Sequence, residues 1–162
     1  MLRRLLHLIG VRRPRKDERF FETLNETEFD GVDEYGRTPL HYAALGGLVD
    51  HLASLLHARG EDIDLPDRAG WTPLHFAASA SSAACVGLLL ERGAHVDPKD
   101  EHGNTPLGRA VFASKGEGDV IALFRAAGAD PCTPNNHGVS PLQLARTIAN
   151  YPIAQHFADL PE

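Results

Sequence analysis

A seven-residue phrase occurs four times along this chain at nearly constant spacing, and this periodicity limits what the chain can fold into. The phrase reads TPLHYAA from Thr38, TPLHFAA from Thr72, TPLGRAV from Thr105 and SPLQLAR from Ser140. The starting positions are 34, 33 and 35 residues apart. A catalytic motif is needed once, whereas a structural unit that stacks on its own copies is needed several times. The sequence therefore predicts an array of similar units.

The second unit shows why such a phrase begins a helix. Gly70 stands two residues before Thr72, in a turn where a positive φ is expected. Thr72 is a good N-cap, and Pro73 suits the first helical position because its missing N–H costs nothing there. A second helix follows after a turn, and Gly93 is expected to end it. One unit cannot bury its own apolar faces, but a stack of units can.

A period of about 33 residues with the pattern T-P-L-H-x-A is typical of the ankyrin repeat. The chain resembles that family from about Asp33 to its C-terminus. The resemblance implies an all-α fold, an ankyrin-repeat α-solenoid with short β-hairpin loops and capping helices. We expect divergent capping helices over residues 1–32, repeats over 33–66, 67–99 and 100–134, and a fourth repeat that doubles as the C-terminal cap over 135–162.

The last unit is expected to close the stack with a second helix that begins at Pro152. Helical spacing would direct its apolar side chains into the stack and its polar side chains outward. The inward set is Ile153, Phe157 and Leu160, and the outward set is Gln155, His156 and Asp159.

His41 and His75 occupy the fourth position of the repeated phrase. In the ankyrin family that histidine bonds to backbone atoms and ties neighbouring units together, so the resemblance implies a structural role for both residues. The third and fourth phrases carry Gly108 and Gln143 at this place. This departure is expected to affect local rigidity rather than the fold.

The sequence contains no pattern that indicates catalysis. It has no HExxH, GxSxG or CxxC motif and no spacing that pairs a nucleophile with a base. Cys85 and Cys132 lack paired spacing, which is typical of reduced thiols in a cytoplasmic protein. His102 and His137 fill equivalent positions in adjacent units, but two lone histidines make only an incidental metal site. We expect no enzyme activity, no cofactor and no metal.

Charge is distributed unevenly along the chain. Residues 1–19 hold seven basic and two acidic residues, a net +5, and the remainder holds nine basic and twenty acidic residues, a net −11. The acidic body disfavours nucleic acid as a partner, because phosphate binding needs a basic surface. A protein with a basic or neutral contact surface fits better.

The N-terminal segment admits three interpretations. It forms the capping helices of the stack, or its basic amphipathic residues 1–16 lie on a membrane surface or a partner, or it is an unstructured tail. The sequence has no run of 18 apolar residues, so it does not predict a membrane span.

The resemblance implies a binding scaffold whose hairpin tips and inner helices form a concave surface that holds protein partners. That surface carries aromatic and aliphatic side chains of the kind enriched in interface hot spots, with Asp62 and Asp64 adding to an acidic rim. Trp71 has an alternative role, which is to pack over the neighbouring hairpin. The predicted partner-binding residues are Glu34, Tyr35, Arg37, Leu45, Arg68, Trp71, Glu101, His102, Asn104, Phe112, Asn136 and His137.

The functional prediction is a cytoplasmic, non-catalytic protein–protein interaction scaffold that binds its partner on the concave face and is monomeric when free. One alternative is an immunity or inhibitor protein that neutralises a cognate toxin or enzyme. Another is a membrane-peripheral adaptor that uses the basic amphipathic N-terminus. Arginines outnumber lysines thirteen to three, which is compatible with a GC-rich genome and a bacterial origin.

Overall fold

The computed structural model describes residues 32–58, 62–148 and 151–160. The predictions made for residues 1–31, which include the N-terminal cap and the basic amphipathic helix, lie outside the described residues. Within the described ranges the helices come in pairs. They are α1 Pro39–Gly46 and α2 Val49–Ala58, α3 Pro73–Ser79 and α4 Ala83–Glu91, α5 Pro106–Ala113 and α6 Asp119–Ala126, and α7 Pro141–Thr147, which is followed by a short 3-10 helix, Ile153–Phe157.

The helices form two rows. Helices α1, α3, α5 and α7 pack against one another in succession as an inner row, and α2, α4 and α6 pack beside them as an outer row. Their facing sides form one continuous hydrophobic core. The phrase leucine is buried in every unit, as Leu40, Leu74, Leu107 and Leu142. The predicted all-α solenoid is confirmed over the described residues, which contain no β-strand.

Small side chains allow neighbouring inner helices to approach closely. Ala43 and Ala44 in α1 and their counterparts Ala77 and Ala78 in α3 are fully buried. A larger side chain at these places would need space that the packed interior does not contain. The alanines of the repeated phrase therefore set the distance between units.

Each inner helix begins as its sequence predicts. The residues before the prolines, Thr38, Thr72, Thr105 and Ser140, are N-caps with extended backbone, and a proline follows in the first turn. Gly93 lies just past the end of α4 with φ of 86°, where its N–H donates to the carbonyl of Leu90. Both the N-cap at Thr72 and the helix end at Gly93 are confirmed.

The C-terminal cap differs from the prediction in one respect. Ile153 and Phe157 are buried, as expected, but His156 does not face out. Its ring lies directly against Gly118 at the start of α6, and its Nε2 atom is shielded from solvent with no hydrogen-bond partner among the described residues. The reason is helical geometry. The segment is a 3-10 helix, in which residues three apart lie on the same side, so His156 points the same way as Ile153.

Candidate binding face

The hairpin tips between units are held by one repeated side-chain arrangement. In the second unit, Oδ1 of Asp67 accepts the N–H groups of Ala69 and Trp71, both at 2.9 Å. A carboxylate or amide oxygen that closes such a turn accepts the hydrogen bonds that a backbone carbonyl would otherwise accept. Asp33, Asp100 and Asn135 make the equivalent pairs of bonds in the other units, at 2.8 to 3.0 Å.

Backbone hydrogen bonds then link each tip to the next. The N–H of Arg68 donates to the carbonyl of Tyr35 at 2.8 Å, and the N–H of Glu101 donates to the carbonyl of Ala69 at 2.9 Å. The third link runs from Asn136 to His102, also at 2.9 Å. A positive φ of 79° at Gly70, where a Cβ atom would come within 3.0 Å of the Asp100 backbone, allows this close approach. The tips therefore form a continuous, fixed row.

Arginine and aromatic side chains cover the inner face between the first two tips. The Arg37 guanidinium lies 5.1 Å from the centre of the Tyr35 ring and 5.0 Å from the centre of the Phe76 ring. Its Nε donates to Oδ2 of Asp67 at 3.0 Å, and the Asp67 side chain is almost completely buried. The charge of this arginine is therefore matched within the protein.

Trp71 occupies the next place along the face. Its ring centre lies 5.0 Å from that of Phe76, and the Arg109 guanidinium stacks over it at 4.3 Å. Arg109 also donates to the buried carboxylate of Asp100. Burial by itself would raise the pKa of Asp100, but the hydrogen bonds from Arg109 and Asn104 outweigh it and the pKa is lowered. These contacts favour the packing role for Trp71, and its contact with a partner stays a prediction.

His41 and His75 connect neighbouring units, as the resemblance implied. The Nδ1 atom of His41 accepts the N–H of Thr38 at 2.9 Å, and its Nε2 lies 3.1 Å from the carbonyl oxygen of Trp71. A nitrogen that accepts from a backbone amide carries no proton, so Nε2 is the donor. Burial lowers the pKa of His41, and it lowers the pKa of His75 to about 4. Both rings are neutral structural groups.

A cavity opens where the third unit lacks this histidine. It has a volume of about 310 Å³ and lies between α5, α7 and the last hairpin, and we call it the Gly108 cavity. Phe112 at its edge is 74% exposed and Val139 is 39% exposed. Its lining is Gly103, Asn104, Thr105, Gly108, Arg109, Phe112, Thr133, Asn135, His137, Val139, Ser140, Pro141 and Leu144.

The predicted partner-binding residues fall into two groups. Four are half-buried along the inner face, namely Arg37, Leu45, Trp71 and Asn104. The others are exposed, namely Glu34, Tyr35, Arg68, Glu101, His102, Phe112, Asn136 and His137. Only three of the twelve, Asn104, Phe112 and His137, line the Gly108 cavity.

The prediction left out residues that shape this face, above all Gly108, Arg109 and Leu144. The repeats could have identified these residues, because each lies at a fixed distance in sequence from the N-cap residue of its unit. In the part of the chain that the structure describes, no three histidine, cysteine or acidic side chains come together in a way that could hold a metal ion. None of the described helices is long and apolar enough to cross a membrane.

Comparisons with known proteins agree with this architecture. A family model described as ankyrin repeats in three copies matches residues 47–135, which is more than half of the chain. A segment of 60 residues is 38% identical to part of the protein named "Ankyrin repeat protein nuc-2" from Neurospora crassa. That segment is 37% of this chain and spans only 6% of the length of the Neurospora protein.

Proposed function

The chain belongs to the ankyrin-repeat family, whose repeats generally mediate protein–protein interactions, and from this premise we propose that it is a non-catalytic scaffold that binds a protein partner on the concave face. The observation that carries the proposal is Phe112. This large aromatic side chain is 74% exposed on an inner helix, beside a cavity and next to the fixed row of hairpin tips. Exposed aromatic side chains beside a concavity are typical of protein contact sites.

Preorganisation of the face supports the same proposal. The tips are joined by backbone hydrogen bonds from Arg68 to Tyr35, from Glu101 to Ala69 and from Asn136 to His102. Their turns are closed by buried or half-buried side chains such as Asp67 and Asp100. A partner that binds such a surface does not need to order it first, so little conformational entropy is lost on binding.

The charges of the face favour a basic or neutral partner surface. Arg37 and Arg109 lie on the inner face, and each is paired with a buried aspartate, Asp67 and Asp100 respectively. The exposed charges at the tips are then Glu34 and Glu101 against Arg68. This weakly negative rim would steer a basic or neutral partner and disfavour an acidic one.

The test is affinity capture from a lysate of the source organism, followed by mass spectrometry, with three baits. These are the wild-type chain, Phe112→Ala on the proposed face, and Glu91→Ala, an exposed residue at the end of outer helix α4. Phe112 is preferred to Trp71, because replacing Trp71 would also disturb its contacts with Phe76 and Arg109.

We expect one stoichiometric protein to be retained by the wild type and by Glu91→Ala and lost by Phe112→Ala. The loss for a hot-spot aromatic should be about 2 kcal/mol when measured by calorimetry with the purified partner. Equal melting temperatures of the three baits would exclude unfolding as the cause. Retention of the partner by Phe112→Ala at full affinity would assign binding to another surface, and capture of no protein by any bait would contradict the proposal.

A further inference from the structure

Gly108 leaves a gap at the place that a histidine ring fills in the two preceding units. His41 and His75 each lie three residues after their N-cap. Each ring accepts the N-cap amide on one side and donates to a backbone carbonyl of the next unit on the other. For His75 the partners are the N–H of Thr72 at 3.2 Å and the carbonyl of Asn104 at 3.1 Å.

The third junction presents the same two backbone groups without the ring between them. The amide of Thr105 corresponds to that of Thr72, and the carbonyl of Val139 corresponds to that of Asn104. Both residues line the Gly108 cavity. Because glycine has no side chain, position 108 supplies neither an acceptor for the Thr105 amide nor a donor for the Val139 carbonyl.

The rest of the lining defines what could enter. Among the described residues, the lining contains no carboxylate, and Arg109, its one permanently charged side chain, is engaged by the buried Asp100. Phe112 and Val139 form an exposed apolar edge through which a side chain of another molecule can reach the cavity. The Val139 carbonyl already accepts the N–H of Asn135 at 3.0 Å, just as the Asn104 carbonyl accepts that of Asp100, and its second lone pair is the one that a ring donor would use. A neutral, flat group with one acceptor and one N–H donor on opposite sides can bond to both backbone groups.

We propose that the Gly108 cavity binds the imidazole ring of a histidine carried by the protein partner. One ring nitrogen accepts the N–H of Thr105, and the other donates its proton to the carbonyl oxygen of Val139. The remaining ring edge and the adjoining partner chain pack on Phe112 and Leu144. This inference rests on the proposed function and adds the chemistry of the side chain that the face selects.

The probe is the capped peptide acetyl-Gly-His-Gly-amide, titrated at pH 8, where a free histidine is neutral, into the full chain labelled with nitrogen-15. Two control peptides replace the histidine by phenylalanine, or by a histidine methylated on the ring so that it has no N–H donor. The matched variant is Gly108→His. A Cβ atom at this position would meet its nearest neighbours, Pro141 and Thr105, at 3.8 and 3.9 Å, so the new side chain has room to fill the cavity from within.

We expect the histidine peptide to shift the Thr105 amide resonance saturably, with a Kd of about 1 mM. Both control peptides should bind at least tenfold more weakly, since neither can bond to both backbone groups. Gly108→His should show no saturable shift. The comparison of peptides on the wild-type chain holds even if the variant fails to fold.

Three results would overturn the inference: equal binding of the phenylalanine peptide, equal binding of the methylated peptide, or no Thr105 shift at about 20 mM histidine peptide, well above the expected Kd. Each of these leaves the proposed function standing if a partner is still captured through Phe112. Selective binding of the histidine peptide without capture of any partner would instead contradict the proposed function and support the specificity of the cavity for a histidine ring.

Discussion

His75 donates from its Nε2 atom to the carbonyl oxygen of Asn104, 3.1 Å away and 29 residues later in the chain. The opposite nitrogen of the same ring accepts the N–H of Thr72. One side chain therefore caps its own helix and also fastens the following unit. Only a neutral imidazole with its proton on Nε2 can make both bonds, which ties the cohesion of the stack to the protonation state of this residue.

The stability of the protein should therefore fall as acid protonates His75. Burial holds the pKa of His75 at about 4 in the folded state, against about 6.5 for an unfolded histidine. The unfolded state then binds more protons than the folded state between these values, so this contribution is complete above pH 6.5 and is lost as the pH falls toward 4. The loss should approach ~3 kcal/mol, and His41 should add to it in the same direction.

Urea unfolding of the wild type and of His75→Gln between pH 7.5 and 4.0 measures this effect. Glutamine does not titrate, and Gln143 already accepts the N-cap amide of Ser140 at 3.0 Å in the fourth unit. The variant should be less stable at pH 7.5 but should lose less stability on acidification. Identical pH dependence of the two proteins would show that His75 is not the group responsible.

Replacement of Asp67 should destabilise the second hairpin, and the loss in free energy of unfolding should depend on which residue replaces it. Its side chain is 1% exposed and accepts from the backbone of Ala69 and Trp71 and from Arg37. Asp67→Ala leaves these donors without an acceptor and should cost ~3 kcal/mol, whereas Asp67→Asn keeps the turn and loses the ion pair, at ~1 kcal/mol. Asn135 holds the equivalent turn in the fourth unit.

Chemical denaturation of the two Asp67 variants at neutral pH separates these contributions. If both variants lose the same free energy of unfolding, the pairing with Arg37 carries the stabilisation and closure of the turn does not.

A side chain at Gly118 should be destabilising while His156 is present. A Cβ atom on Gly118 would overlap the His156 ring, so Gly118→Ala forces that ring out of its place against the start of α6. Overpacking of this kind costs ~2 kcal/mol. A double-mutant cycle with His156→Ala, followed by thermal and urea unfolding, tests the contact. In the His156→Ala background the alanine at 118 should be neutral or stabilising, and a cost that persists there would locate the strain elsewhere.

Much of the fold follows from local chemistry in the sequence. The N-cap at Thr72, the following proline and the positive φ at Gly70 and Gly93 depend only on residues close by in the chain. The same is true of every repeated phrase, because each one encodes its own turn and helix start. The order of helices and the stacked architecture could therefore be predicted before any contact between units was known.

The packing of side chains between units could be predicted only in part. The stacking of Arg109 on Trp71 joins residues in different units, and nothing near Trp71 in the sequence indicates it. His156 turned inward because its segment is a 3-10 helix, a choice that tertiary packing decides. The missing histidine at Gly108 was visible in the sequence, but only the structure reveals that its neighbours leave the space unfilled.

Filling that space from within should stabilise the junction between the third and fourth units. Gly108→Ala should raise the free energy of unfolding by ~0.5–1 kcal/mol, because alanine favours helix more than glycine does. Gly108→His should exceed the alanine variant by ~1 kcal/mol, since its ring can accept the Thr105 amide and donate to the Val139 carbonyl. Urea unfolding of both variants beside the wild type measures the difference. A histidine variant no more stable than the alanine variant would mean that the two backbone groups do not form a ring site. Hydrogen exchange at the Thr105 amide checks the same point directly, because it should slow only when that amide donates to the new ring.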